Sequence, residues 1–105
     1  MPMMSTPLGS DPVATPASTS LSVVVPAFNE AGNLEPLLQR ALSWLGRIGA
    51  PFEILLVDDG SSDGTARIAD RLAGADPRVR VFHHRENLGF GAALKTGFAA
   101  ACHEW

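Results

Sequence analysis

The run Phe52-Glu53-Ile54-Leu55-Leu56-Val57, closed by Asp58-Asp59-Gly60, constrains the fold more than any other stretch of the chain. Apart from Glu53 it is apolar without alternation, and a strand that has no polar face must be covered on both sides. A parallel sheet sandwiched between two helical layers meets that demand. The adjacent carboxylates at its end need partners, because an unpaired buried charge is costly.

The flanking sequence supplies the other layers. Leu21-Ser22-Val23-Val24-Val25 predicts a first strand, stopped by Pro26, which cannot donate to a ladder. Leu34, Leu37, Leu38, Ala41, Leu42, Leu45 and Ile48 follow at helical spacing, with Asn33 as the expected N-cap and Gly46, Gly49 and Pro51 at the exit. After the apolar strand, a helix is predicted over residues 65–73 with Ile68, Ala69 and Leu72 inward. A third strand spans residues 79–82, and a last helix spans residues 89–103 with Leu94, Phe98, Ala101 and Cys102 on one face. Trp44 and Trp105 are expected to pack. The order β-α-β-α-β-α specifies an α/β, three-layer, Rossmann-like parallel sheet with right-handed crossovers. Such sheets bind ligands at the carboxyl ends of their strands, so the loops at 26–33, 58–64 and 83–91 share one rim.

Composition bounds the rest. The 105 residues fit one small domain with a modest core, and 46% apolar against 18% charged residues is ordinary for a globular protein. A net charge of −3 without a basic face argues against nucleic acid. The single cysteine, Cys102, excludes an internal disulfide framework and disfavours structural zinc; on an apolar helix face it is expected to be inert. A reducing cytoplasm is the expected setting, with membrane association only through a longer parent protein, because no apolar run approaches a membrane span. Residues 1–20 hold four prolines, seven Ser or Thr and one charge, which predicts a disordered leader ahead of a folded unit over 21–105.

Chemistry concentrates in the three loops. An acid at the end of such a strand can accept hydrogen bonds from a ribose or a base edge; alternatively Asp59 and Ser61 only shape a turn and cap the next helix. Gly89-Phe90-Gly91-Ala92-Ala93-Leu94-Lys95-Thr96 approaches a phosphate-binding loop, but Leu94 occupies an obligatory glycine of both the P-loop and the dinucleotide motif. Its glycines are expected to let the helix N-terminus pack closely, with its amides near a diphosphate as a secondary role. His83 and His84, adjacent in a strand, point to opposite faces and cannot chelate one ion together.

Val24-Val25-Pro26-Ala27-Phe28-Asn29-Glu30, Leu56-Val57-Asp58-Asp59-Gly60-Ser61-Ser62-Asp63-Gly64-Thr65 and Asn87-Leu88-Gly89-Phe90-Gly91, in this order and spacing, resemble the opening of family 2 glycosyltransferases, and within them the polyprenyl-phosphate, dolichol-phosphate mannose synthase-like branch. The resemblance covers residues 21–105 and implies the first half of a GT-A domain, binding the nucleotide of a sugar donor for transfer to an acceptor such as a polyprenyl phosphate. By the family pattern Pro26, Phe28 and Glu30 border base and ribose, Leu56 contacts the base and Asp58 reads its edge. Ala27, Asp59 and Lys95 stand at the margin of that set, Asp59 shaping the turn and Lys95 either approaching the diphosphate or lying solvated on its helix. Phe28 stands where many relatives have tyrosine. The Asp-x-Asp that binds Mg²⁺ or Mn²⁺ in the full-length family does not occur in this sequence, nor does the later catalytic base, so no catalytic or metal-binding residue is expected here. A nucleotide-binding module without turnover, a partial gene product and an oxidoreductase dinucleotide domain remain as alternatives. A half-sheet of this kind is expected to be marginal or aggregating on its own.

Overall fold

A computed structural model describes residues 20–104, with side chains through Ala101. The expected leader, apart from Ser20, and Trp105 lie outside the described residues, as does the side chain of Cys102. The elements are β1 (Leu21–Ala27), α1 (Leu34–Gly46), β2 (Phe52–Asp58), α2 (Thr65–Ala75), β3 (Val79–His83) and α3 (Phe90–Glu104). The three strands are parallel in the order β1-β2-β3. This is the α/β, Rossmann-like arrangement that the apolar run required, with that run as the central strand.

Ile54, Leu55, Leu56 and Val57 are all 0% exposed. Ile54 and Leu56 join Leu34, Leu38 and Leu45 of α1 and Ala69 and Leu72 of α2 in one core. On the other face α3 lies across β1 and β2. Each of these four side chains contributes roughly 1.5–3 kcal/mol relative to exposure, which is why the run tolerates no polar interruption.

Four local expectations are corrected. Pro26 does not stop β1, which continues through Ala27. The Leu21 amide bonds to the Pro51 carbonyl at 3.0 Å and the Asp59 amide to the Ala27 carbonyl at 2.8 Å, so odd residues of β1 face β2. The nitrogen of Pro26 therefore points to the open edge, where its missing proton costs no ladder bond. Asn33 occupies the N-cap position of α1 but makes no side-chain cap; its amide group donates to Glu30 Oε1 at 3.2 Å, and the Leu34 amide goes to the Glu30 carbonyl at 2.9 Å. Trp44 is not a packing residue: it is 64% exposed, and Leu37 and Ile48 of the same helical stripe are 46% and 47% exposed.

The fourth concerns α3. Phe98 is 56% exposed, and the helix meets the sheet through Ala93 and Gly97 instead. A Cβ at Gly97 would collide with the side chain of Val24, whereas one at Gly91 would meet nothing within 4 Å. Close packing thus falls at Gly97 and not at the helix N-terminus, because the backbone of α3 must lie directly on β1.

Candidate nucleotide-binding cleft

The loops after β1 and β2 are sewn together by short side chains. Asn29 takes φ +52, a left-handed conformation that asparagine tolerates better than most residues. Its Oδ1 accepts from the Ser62 amide at 2.8 Å, and its own amide donates to Ser61 Oγ at 3.0 Å. The Glu30 amide donates to Oγ1 of the fully buried Thr65 at 2.8 Å. Asp63 Oδ1 accepts from the Thr65 amide at 2.9 Å and from the Thr65 hydroxyl, so Asp63 satisfies the first amide of α2, which the N-cap residue Gly64 cannot do with a side chain. Those bonds, the hydroxyl first, hold the Asp63 carboxyl below its ordinary range.

The two adjacent carboxylates leave β2 in opposite directions. Asp58, 3% exposed, follows Ile54 and Leu56 toward the α1 and α2 layer. Its Oδ1 accepts from the Ser61 amide at 3.1 Å, and Oδ2 lies 2.8 Å from Nδ1 of His83, its register partner on β3. Nε2 of the same ring lies 2.8 Å from Asp70 Oδ1 on α2. An imidazole that donates to two carboxylates needs both protons. The bond to Asp58, then that to Asp70, raise the His83 pKa against the opposing effect of burial.

Asp59, also 3% exposed, turns toward α3 and is the hub of the third loop. Its Oδ1 accepts from His84 Nδ1 at 2.7 Å and from the Leu88 amide at 3.0 Å; Oδ2 accepts from Asn87 Nδ2 at 3.0 Å and from the Gly89 amide at 2.9 Å. Burial is the largest single influence on its carboxyl and pushes the pKa up, but the Leu88 amide, His84 and the Gly89 amide together outweigh it, and the net shift is downward. The amide of Gly89, at the helix N-terminus expected near a diphosphate, is thus already bonded to an internal carboxylate, as is that of Leu88 before it.

Between the first and third loops lies a cleft of about 470 Å³ at the carboxyl ends of β1 and β2. Pro26, Ala27, Phe28 and Glu30 line one side, and Asp59, Asn87, Gly89, Phe90 and Ala93 the other. The structure therefore brings together five of the residues singled out from sequence: Pro26, Ala27, Phe28, Glu30 and Asp59. It places three elsewhere. Leu56 is sealed in the core, Asp58 is held on the far side of the sheet by His83 and Ser61, and Lys95 is exposed on α3 away from the cleft. Asn87, Phe90 and Ala93 were not assigned to the site by sequence reasoning, although Asn87 and Phe90 stand in the third motif. Gly60 was the readable signal for their position: a Cβ there would overlap the backbone of Glu86 and Asn87, which brings the third loop onto the β2 turn.

A divalent cation does not fit these carboxylates. Asp59 already accepts four hydrogen bonds, Asp58 faces the His83 ring, and among the described residues no three His, Cys, Asp or Glu side chains cluster as a metal site. No described helix is long and apolar enough to cross a membrane.

A parallel α/β sheet with a cleft at its strand ends, walled by a Phe-Asn-Glu loop and an Asp-Asp-Gly turn, has the architecture of a GT-A fold. The profile of glycosyl transferase family 2 matches residues 22–105, and the chain belongs to that family. It is 41% identical over 90 residues to glycosyltransferase AglD of Haloferax volcanii, covering 84% of this chain and 14% of that protein. It is 41% identical over 91 residues to the polyprenol monophosphomannose synthase of Mycolicibacterium smegmatis, covering 86% of this chain and 33% of that one. Among solved structures it is similar to the mannosyltransferase PcManGT of Pyrobaculum calidifontis in complex with GDP-Man and Mn²⁺, with TM-score 0.61, 28% identity and coverage of 86% of this chain and 27% of the other. The chain spans a third or less of the length of these relatives.

Proposed function

We propose that residues 21–105 hold the nucleoside diphosphate of a sugar donor for glycosyl transfer, with a polyprenyl phosphate as the acceptor class. The observation that carries this reading is the cleft itself, where the loop after β1 meets the Asp59 hub at the ligand-binding edge of a parallel sheet. Phe28, 44% exposed, from the loop after β1 and Phe90, 68% exposed, from the start of α3 both line the cleft and offer apolar faces to a planar base. Glu30 takes a ribose hydroxyl. The acid that meets the ligand is Asp59 and not Asp58, since Asp59 lines the cleft. Its Asn87 donor comes from an exposed side chain and exchanges for a base N–H at little cost. The acceptor class follows the name of the M. smegmatis relative, and the donor class follows the GDP-Man of the P. calidifontis complex. The cleft residues recognise base and ribose, and no step is assigned to a metal.

Calorimetric titration of the chain with GDP and UDP tests the reading. Binding of at least one nucleotide is expected, weakened about tenfold by Phe28→Ala, which removes an exposed ring worth about 1–3 kcal/mol as a stacking platform. Absence of binding to both nucleotides, or equal binding by Phe28→Ala, overturns it.

A further inference from the structure

The function proposed above uses Asp59 but not the groups directly behind it. His84 Nδ1 lies 2.7 Å from Asp59 Oδ1, and Nε2 of the same ring lies 2.7 Å from Thr96 Oγ1 on α3. The His84 side chain is 11% exposed and that of Asp59 5% exposed, so the pair sits behind the cleft wall. Asp59 can only accept, which places a proton on Nδ1. At Nε2 the Thr96 hydroxyl, which can donate or accept, holds the other end of the ring. His83 differs in being held between two carboxylates. Asp59 therefore sets the proton on Nδ1, and the Thr96 hydroxyl fixes the plane of the ring that bonds Asp59.

We propose that His84 and Thr96 are positioning residues for nucleotide recognition: Thr96 orients His84, and His84 holds the cleft-facing carboxylate of Asp59 in the geometry that accepts from the ligand. The inference rests on the functional reading above. It also gives Thr96, the last residue of the segment that only approaches a phosphate-binding loop, a role that involves no phosphate. Asp59 has three other donors, from Asn87, Leu88 and Gly89, and His84 is the one among the four that is itself fixed by a side chain of α3. The chain Thr96–His84–Asp59 thus ties the orientation of the acid to the helix that forms the cleft wall.

The test is a double-mutant cycle on GDP and UDP affinity with the whole chain, with thermal melts as the control for folding. Thr96→Val keeps the shape and removes the hydroxyl, and it is expected to weaken binding about threefold to tenfold, the range of one lost hydrogen bond. Thr96→Ser is expected to restore wild-type affinity. His84→Asn retains a donor where Nδ1 stands, and in that background Thr96→Val is expected to have no further effect on affinity, because the two side chains act through one contact. In ¹⁵N-labelled wild type the His84 ring is expected to carry a proton at Nδ1, with the Nε2 resonance moving in Thr96→Val. Wild-type affinity in Thr96→Val, or an equal loss on Thr96→Val in the wild-type and His84→Asn backgrounds, overturns the inference. If Phe28→Ala still weakens binding in those same titrations, the functional reading survives that result. If the wild-type chain binds neither nucleotide, both fall together.

Discussion

Gly60 and Asp59 together make the third loop close on the β2 turn, one by having no side chain and the other by having a charged one. Gly60 sits at φ +72 with the backbone of Glu86 and Asn87 in the space of a Cβ. Gly60→Ala therefore combines a left-handed penalty with a backbone clash and is expected to cost about 2–5 kcal/mol in a denaturant titration. That is comparable to the whole stability of a domain this small. Asp59→Asn removes the charge from a buried acceptor of four bonds and is expected to cost about 2–4 kcal/mol. Its effect should also depend on acidity. The folded Asp59 pKa lies below the ordinary 3.8, so its stabilisation is complete above that value and is lost as pH falls through the depressed pKa. The stability gap between wild type and Asp59→Asn should accordingly be flat from neutral pH to about pH 4 and narrow below it. A gap unchanged at pH 2.5 would show that Asp59 acts by shape alone.

Between elements, the carboxyl ends of β2 and β3 are joined to the middle of α2 by Asp58–His83–Asp70. The folded His83 pKa lies above the ordinary 6.5. Its contribution is thus fully present below about pH 6.5 and is lost as pH rises through the raised pKa, opposite in sense to that of Asp59. Comparing wild type with His83→Asn between pH 5.5 and 8.5 should show a stability advantage that shrinks with rising pH; a constant difference would remove the ion pair from the account. The unbroken apolar run had to be a central strand, and the β-α alternation then fixed a parallel sheet and the edge that carries the cleft. The direction of each carboxylate was not readable as a functional difference. Period-two alternation sends Asp58 and Asp59 to opposite faces, but the face that holds the cleft depends on α3 lying across β1, and that depends on Gly97 meeting Val24. The helical period of α1 and α3 likewise marks the apolar positions without saying how many of them the sheet covers.

Across the whole molecule, an apolar depression on the outer side of α1 lies beside the free edge of the sheet. Leu37, Ala41 and Trp44 follow at helical spacing along α1, with exposed Ile48 just beyond its end, and Arg40 of α1 and Val23 of β1 border the same apolar depression. The adjoining side of β1 is paired with no other strand among the described residues. An unpaired edge and an exposed apolar stripe side by side promote association, since each new contact buries apolar area and satisfies backbone groups at once. The isolated chain is therefore expected to self-associate at micromolar concentration in light scattering. Leu37→Gln with Trp44→Glu should raise the monomer fraction severalfold while changing unfolding free energy by no more than about 0.5 kcal/mol, as for surface positions. Trp44→Glu also places an acid within one helical turn of Arg40 and Arg47, which offsets its unfavourable position near the helix C-terminus. The stripe and the edge can be separated in the same experiment. If the doubly substituted chain still associates as the wild type does, the contact runs through the β1 edge, and a charge on the strand, Ser22→Lys, should relieve it where the helix substitutions do not.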